Sequence, residues 1–260
     1  MIQKLDIAIL GLIAAIPVVC IIIFLLPRSL QDALWLNTRN LEPLTFITAS
    51  FVHGDLGHLT GNLTLFVLAG ILLYSVSWKA HKQKFLFCSL LLLIASLPMA
   101  YTFCVLNIFR FQLPQRSGGL SIVNSGLIGL TIPSLLLLLN AELQNTKTRL
   151  LFFISLLLLT DVVTILPYVE SARPSNLAFA AVEGAIGLLL FSFPFRVLVR
   201  SGAKRQIALA FIVLTAYFCC FPLLFPAIVV RQGVFVDVFA HRFGLFFGLL
   251  LGYLLQVKSL

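Results

Sequence analysis

The sequence predicts an all-α, polytopic membrane protein, and three properties of the chain support this fold class. Hydrophobic residues fill 60% of its 260 positions, and charged residues fill only 10%. The mean hydropathy is +1.09, which is too high for a water-soluble domain. The apolar residues also form runs of about 20, the length that a helix needs to cross a hydrocarbon core. We therefore expect a helical bundle with about eight transmembrane helices.

The apolar runs define the predicted spans in order along the chain. These are residues 6–26, 55–77, 84–107, 118–140, 149–168, 175–199, 206–229 and 237–257. The first run is longer than the apolar core of a signal peptide, which is about 7–15 residues. Pro27-Arg28 follows it without a small-residue cleavage site. We therefore interpret the first span as an uncleaved membrane anchor.

Basic residues in the loops predict the orientation of the chain. Of the 18 Lys and Arg residues, eleven lie on the side of the N-terminus and seven on the other. Because Lys and Arg collect on the cytoplasmic side, we expect both termini in the cytoplasm and the chain in a plasma or inner cell membrane. This topology accounts for the net charge of +9. No basic and aromatic pattern indicates a nucleic-acid partner, and the oligomeric state stays open.

A polar cluster opens the second span, in the stretch FVHGDLGHLTGN at 51–62. His58 and Asn62 are four residues apart, which places them on one helical face about 6 Å apart. Gly57 and Gly61 form a GxxxG pair, which allows another helix to approach closely. Polar groups are costly at this depth unless they have partners. The cluster is therefore either a helix-packing motif or part of a functional site.

Two other spans carry reactive residues at the same predicted depth. Ser121 lies near the start of the fourth span in RSGGLSIVNSGLIG, and His241 lies one turn into the eighth span in DVFAHRFGLFFG. Three spans separate these two, so both helices enter from the side that His58 and Asn62 occupy. A serine, a histidine able to act as its base, and donors for a developing oxyanion are the components of acyl-transfer chemistry.

At these residues the chain resembles the rhomboid family of intramembrane serine proteases. The family pattern of histidine, four residues, histidine, three residues and asparagine is matched by HGDLGHLTGN at 53–62. The serine motif resembles GLSI at 119–122 with glycines five and eight positions after the serine, and the histidine motif is met by AHRFGLFFG at 240–248. The resemblance covers the first four spans and the last.

The resemblance implies a single rhomboid-like membrane domain over residues 1–260. Two additional transmembrane helices lie within about 149–229, where the compact family core has one span between the serine and the histidine helices. A second departure is Ile122, because the family normally has glycine directly after the serine. This departure leaves Ser125 open as an alternative nucleophile.

The resemblance also implies a mechanism and a substrate class. His241 would take the proton from Ser121 as the serine attacks a peptide carbonyl of a transmembrane protein substrate. The oxyanion would be held by the backbone N–H of Ser121, the side chain of His58 and the amide of Asn62. His53 would line the opening through which substrate and water enter, although a structural role is also open. No metal and no organic cofactor is implied.

Two alternative functions stay open at this point. The isoleucine at 122 is compatible with a catalytically inactive, rhomboid-like protein that binds membrane clients. Asp161 and Glu183 lie within the additional spans, where carboxyl groups are expensive and commonly functional, and they favour a proton-linked transporter. Asp55 and Asp237 stand at helix starts, where N-capping is the expected role; a role of Asp237 in orienting His241 is also open.

Overall fold

The computed structural model describes residues 4–37, 42–104, 116–143, 145–171, 174–225, 230–231, 234–235 and 238–259. Within these residues eight helices are long and apolar enough to cross a membrane, so the predicted all-α polytopic fold is confirmed. The long helices are α1 (Lys4–Leu25), α4 (Leu56–Lys79), α5 (Gln83–Phe103), α6 (Ser121–Leu138), α7 (Thr146–Ile165), α8 (Pro174–Arg200), α9 (Lys204–Cys219) and α11 (Val238–Ser259).

Most of these helices begin and end within three residues of the predicted spans. The seventh span differs, because α9 ends at Cys219 and a separate short helix, α10 (Phe221–Leu224), follows it. Pro222 stands at the start of α10 and has no N–H to continue the hydrogen bonding of α9. The remaining predicted positions, 226–229, and the predicted end of the third span at 105–107 lie outside the described residues.

Short elements connect the loop after α1 to the segment that precedes α6. The loop contains α2 (Arg28–Leu34), β1 (Leu36–Asn37) and α3 (Thr45–Thr48), none of which the hydropathy pattern predicts. The strand β1 pairs antiparallel with β2 (Arg116–Ser117), so that Leu36 stands opposite Ser117. A second pair joins β3 (Val230–Arg231) to β4 (Val234–Phe235). The β1–β2 pair ends four residues before Ser121 and helps to fix the segment that precedes α6.

The chain divides into two compact units, and the boundary falls inside α6. The first unit comprises the described residues of Met1–Leu130 and Phe239–Leu260. In it α1 packs against α4, where Ile13 occupies the space beside Gly70. The second unit comprises those of Thr131–Val238. There α7 packs along α8, and a buried hydrogen bond of 2.8 Å joins Thr160 to Tyr217.

Candidate functional site

The N-terminus of α4 is fixed by an N-cap. The carboxylate of Asp55 accepts a hydrogen bond of 2.8 Å from the backbone N–H of His58. This bond satisfies one of the four N–H groups that a helix leaves without an internal acceptor at its start. The predicted capping role of Asp55 is confirmed. Asp237, for which the same role is predicted, lies outside the described residues.

His58 contacts the segment before α6, and Asn62 contacts α6 itself. The His58 ring lies so close to Gly119 that an added Cβ there would be 2.7 Å from His58 Cε1. Asn62 is buried and accepts hydrogen bonds from Asn124 of α6. Its own Nδ2 donates to the carbonyl of His58 at 3.0 Å. The prediction for Gly57 and Gly61 is wrong, because both are exposed and, apart from its own helical neighbours, no described residue comes within 4 Å of a Cβ placed at Gly61.

The segment that leads into α6 is held by residues that precede α4. The N–H of Gly119 donates to the carbonyl of Ala49 at 2.8 Å, and the N–H of Leu120 donates to Nε2 of His53 at 3.3 Å. Gly119 has a φ of +118°, a conformation that favours glycine. Trp35 packs on Gly118, where a Cβ would lie 2.8 Å from its ring. The backbone before Ser121 is therefore tied down on two sides.

His53 is a buried structural residue, not a lining of the access path. Its side chain is 0% exposed, which corrects the prediction that it lines the opening for substrate and water. Because Nε2 accepts from Leu120, the ring proton is on Nδ1, which lies 3.3 Å from the carbonyl of Phe51 and donates to it. One neutral tautomer thus satisfies both nitrogens.

The neutral state of His53 is also favoured electrostatically. Burial and, to a smaller extent, the nearby His58 lower the pKa of His53 from 6.5 to about 4. The Phe51 carbonyl and the Asp55 carboxylate oppose this shift but do not cancel it. The two imidazole rings lie 5.1 Å apart in an edge-on arrangement. His53 therefore stays uncharged at neutral pH and keeps its bond to the Leu120 N–H.

Ser121 is the first residue of α6 and is half-buried. Its N–H belongs to the first helical turn, whose donors have no acceptor within the helix. Ser125 lies one turn further along, is 0% exposed, and donates its hydroxyl to the Ser121 carbonyl at 2.8 Å. This backbone-bonded geometry is that of a packing serine. It argues against Ser125 as the alternative nucleophile.

The helices α6 and α11 pack backbone to backbone through glycines. A Cβ at Gly129 would overlap the carbonyl oxygen of Leu245, and one at Gly248 would overlap that of Gly126. A Cβ at Gly244 would lie 2.5 Å from the carbonyl oxygen of Ile122. Residues further along α6 contact residues further along α11, so the two helices run parallel. The absence of side chains at these glycines permits this close approach.

This register places Ser121 and His241 at the same level. Gly244 lies beside Ser125, whose Cβ would be 3.0 Å from a Cβ at Gly244. Ser121 is four residues before Ser125 and His241 is three before Gly244, so each lies about one turn back on the face that meets the other helix. His241 is 6% exposed. Ser121 and His241 therefore both lie about one turn before the contact between Ser125 and Gly244.

The side chain of Ile122 is accommodated by α11. Ile122 is buried, and its Cγ1 would lie 3.2 Å from a Cβ at Gly244. Because Gly244 has no side chain, the facing helix leaves space for the Ile122 side chain. The Ile122 side chain thus points toward α11. The segment before Ser121 is contacted instead by Trp35 and His58.

Asn124 belongs to the site but was not predicted from the sequence. It is 0% exposed, and its Nδ2 donates to both the carbonyl and the side-chain Oδ1 of Asn62, each at 3.0 Å. Its own Oδ1 is buried and has no hydrogen-bond partner among the described residues. The available signal was an amide within an apolar span, three residues after Ser121, because such groups are rarely kept in hydrocarbon without a role.

The site is built from serine, histidine and asparagine side chains. Within the part of the chain that the structure describes, no group of three or more His, Cys, Asp or Glu residues is arranged to hold a metal ion. Its parts are contributed by α4, the segment before α6, α6 itself and α11. In comparisons with known proteins, no family model, no curated protein and no solved structure matches this chain.

Proposed function

We propose that this chain is an intramembrane serine protease of the rhomboid type, with transmembrane proteins as its substrates. The observation that carries the proposal is the parallel, glycine-mediated packing of α6 on α11. It puts Ser121 and His241 one turn from the contact between Ser125 and Gly244. The buried position of His241 supports the proposal, because a base shielded from bulk water acts most effectively on a neighbouring nucleophile.

The proposed reaction begins with a proton transfer. His241 takes the proton of the Ser121 hydroxyl as its oxygen attacks the carbonyl carbon of the substrate peptide bond. His241 then gives this proton to the leaving amine, and an acyl-enzyme remains. Water, deprotonated by the same histidine, hydrolyses the ester and regenerates Ser121. No charged third residue is needed for these steps.

The negative charge that develops on the carbonyl oxygen requires donors in fixed positions. The N–H of Ser121, the ring of His58 and Nδ2 of Asn62 are the proposed donors. The contact of His58 with Gly119 and the bonds between Asn62 and Asn124 support this role, since they bring α4 against the start of α6. Losing one such donor typically lowers the rate on the order of 100- to 1,000-fold.

The proposed orientation places the site near the outer face of a plasma or inner cell membrane, with both termini in the cytoplasm. The distribution of Lys and Arg among the loops supports it. The three helices that carry the site, α4, α6 and α11, all start on the same side in this topology. A location near the outer face supplies the water that hydrolysis of the acyl-enzyme consumes.

An activated serine can be detected directly with a fluorophosphonate probe. We expect the purified protein in detergent to be labelled, and Ser121→Ala and His241→Ala to abolish labelling because they remove the nucleophile and its base. Ser125→Ala is the matched control and should label like the wild type, since its hydroxyl is bonded to the helix backbone. Absence of labelling in a correctly folded wild type would contradict the proposal and favour the client-binding or transport alternatives.

A further inference from the structure

Asn124 and Asn62 form a buried pair of amides that joins α6 to α4. Asn124 is 0% exposed and Asn62 is 7% exposed. The Asn124 Nδ2 group donates two hydrogen bonds of 3.0 Å to Asn62, one to its backbone carbonyl and one to its side-chain Oδ1. The Asn62 Nδ2 group donates to the His58 carbonyl at 3.0 Å. The oxygen of the Asn62 amide therefore accepts from a donor, and its nitrogen donates to an acceptor.

This pairing determines which end of the Asn62 amide is the donor end. Asn124 presents only N–H groups to Asn62, and the His58 carbonyl presents only an acceptor. If the Asn62 amide turned over, its NH₂ would face the NH₂ of Asn124, and its oxygen would face the carbonyl of His58. Both contacts would be repulsive in a buried environment, where unpaired polar groups are costly. Asn124 therefore holds the amide in one orientation.

The orientation has a chemical consequence. The Asn62 Nδ2 group carries two hydrogens, and the bond to the His58 carbonyl uses one of them. The other stays at the donor end of the amide and can serve an anionic oxygen. An inverted amide would instead present an oxygen and would repel a developing negative charge. The orientation of the Asn62 amide therefore decides whether the side chain stabilises or destabilises the oxyanion.

We infer that Asn124 is a positioning residue for the oxyanion hole, which acts by fixing the Asn62 amide. The inference rests on the proposed function, because it assigns a role within the same acyl-transfer site. It also explains why an amide whose own Oδ1 has no hydrogen-bond partner among the described residues is kept in the interior.

The test measures the kinetics of fluorophosphonate labelling in detergent for wild type, Asn124→Leu, Asn62→Ala and the double variant. Leucine has a similar volume but no donor. We expect Asn124→Leu to lower the maximal labelling rate by about 10- to 100-fold, as misplaced catalytic groups commonly do. The probe concentration that gives half of the maximal rate should stay unchanged. Thr131→Val is the matched control. Thr131 lies on the same helix as Asn124, and its buried hydroxyl has no hydrogen-bond partner among the described residues.

The double variant distinguishes positioning from a general effect on folding. If Asn124 acts through Asn62, the leucine substitution should have little further effect once Asn62 is alanine. Equal effects in both backgrounds, or a wild-type rate in Asn124→Leu, would overturn the inference while Ser121 and His241 labelling still supported the proposed function. A folded wild type that is not labelled would overturn the proposed function itself.

Asn124→Asp provides a second test if the leucine variant does not fold. A protonated aspartic acid can donate one hydrogen bond to Asn62, whereas an ionised carboxylate repels its oxygens. We expect the labelling rate of this variant, relative to wild type at the same pH, to rise as the pH falls. A ratio that does not change with pH would overturn the inference.

Discussion

Gly119 has a constrained backbone two residues before the candidate nucleophile, Ser121. Its φ of +118° and the His58 ring beside it both exclude a side chain, because an added Cβ would lie 2.7 Å from His58 Cε1. We expect Gly119→Ala to lower the free energy of unfolding by about 1–3 kcal/mol through backbone strain and overlap. It should also displace His58 and reduce fluorophosphonate labelling. Thermal unfolding in detergent and labelling of the same samples check both effects.

Gly61 offers a matched control for this substitution. It lies in α4, and apart from its own helical neighbours no described residue comes within 4 Å of a Cβ placed there. Gly61→Ala should change stability by about 1 kcal/mol or less, in the stabilising direction, because alanine favours the helix. If Gly119→Ala were as well tolerated as Gly61→Ala, the close packing of His58 on the segment before α6 would be refuted.

At the scale of elements, His53 links the segment before α4 to the segment before α6. Its neutral Nε2 accepts the Leu120 N–H, and a protonated ring cannot accept. Because the pKa is lowered from 6.5 to about 4, the unfolded chain binds a proton in this window that the folded chain does not. Stability should therefore be complete above pH 6.5 and fall as the pH drops toward 4, by up to about 3 kcal/mol for this group.

Unfolding temperatures measured in detergent from pH 7.5 to pH 4 test this dependence. His53→Gln should flatten the curve, because glutamine has no charge to gain. His81→Asn is the control, since His81 is exposed in the loop between α4 and α5 and its φ of 56° suits asparagine. An identical slope in wild type and His53→Gln would show that the bond to Leu120 does not depend on this titration.

The same elements show what sequence reasoning can and cannot establish. Hydropathy was sufficient for the long helices, because a hydrocarbon core imposes their length. The glycines of α6 and α11 do pack closely against the facing helix, but the GxxxG spacing at Gly57 and Gly61 was misleading. A glycine pair creates a possible contact surface, and the pattern does not say whether a partner helix reaches it. Only the positions of the other helices decide that question.

Polar residues were harder to assign than glycines. His53 was expected at an opening and is instead buried, because its two nitrogens are satisfied by the Phe51 carbonyl and the Leu120 N–H, the latter 67 positions away in sequence. Asn124 was missed for a similar reason, since its partner, Asn62, is 62 positions away. Hydrogen bonds across such separations depend on tertiary structure and leave no local periodicity in the chain.

At the scale of the whole molecule, the residues of the candidate site all belong to one of the two compact units. Ser121, His241, His58 and Asn62 fall within Met1–Leu130 and Phe239–Leu260. Asp161 and Glu183 fall within Thr131–Val238, the other unit. If the first unit contains the complete reactive machinery, the two carboxyl groups are dispensable for activating the serine. In a proton-linked transporter the two carboxyl groups would instead be essential, because such groups carry the protons.

We therefore expect Asp161→Asn/Glu183→Gln to label with the fluorophosphonate probe within about twofold of the wild-type rate, as independent sites do. Liposomes containing the wild-type protein and an internal pH-sensitive dye should show no proton uptake beyond that of empty vesicles when a pH gradient is imposed. Ser121→Ala, which lacks the nucleophile, is the control for the first assay and should remain unlabelled. Proton uptake that disappears in the double variant would establish the transport alternative. Loss of labelling in a double variant with the wild-type unfolding temperature would show that the acids act on the serine site.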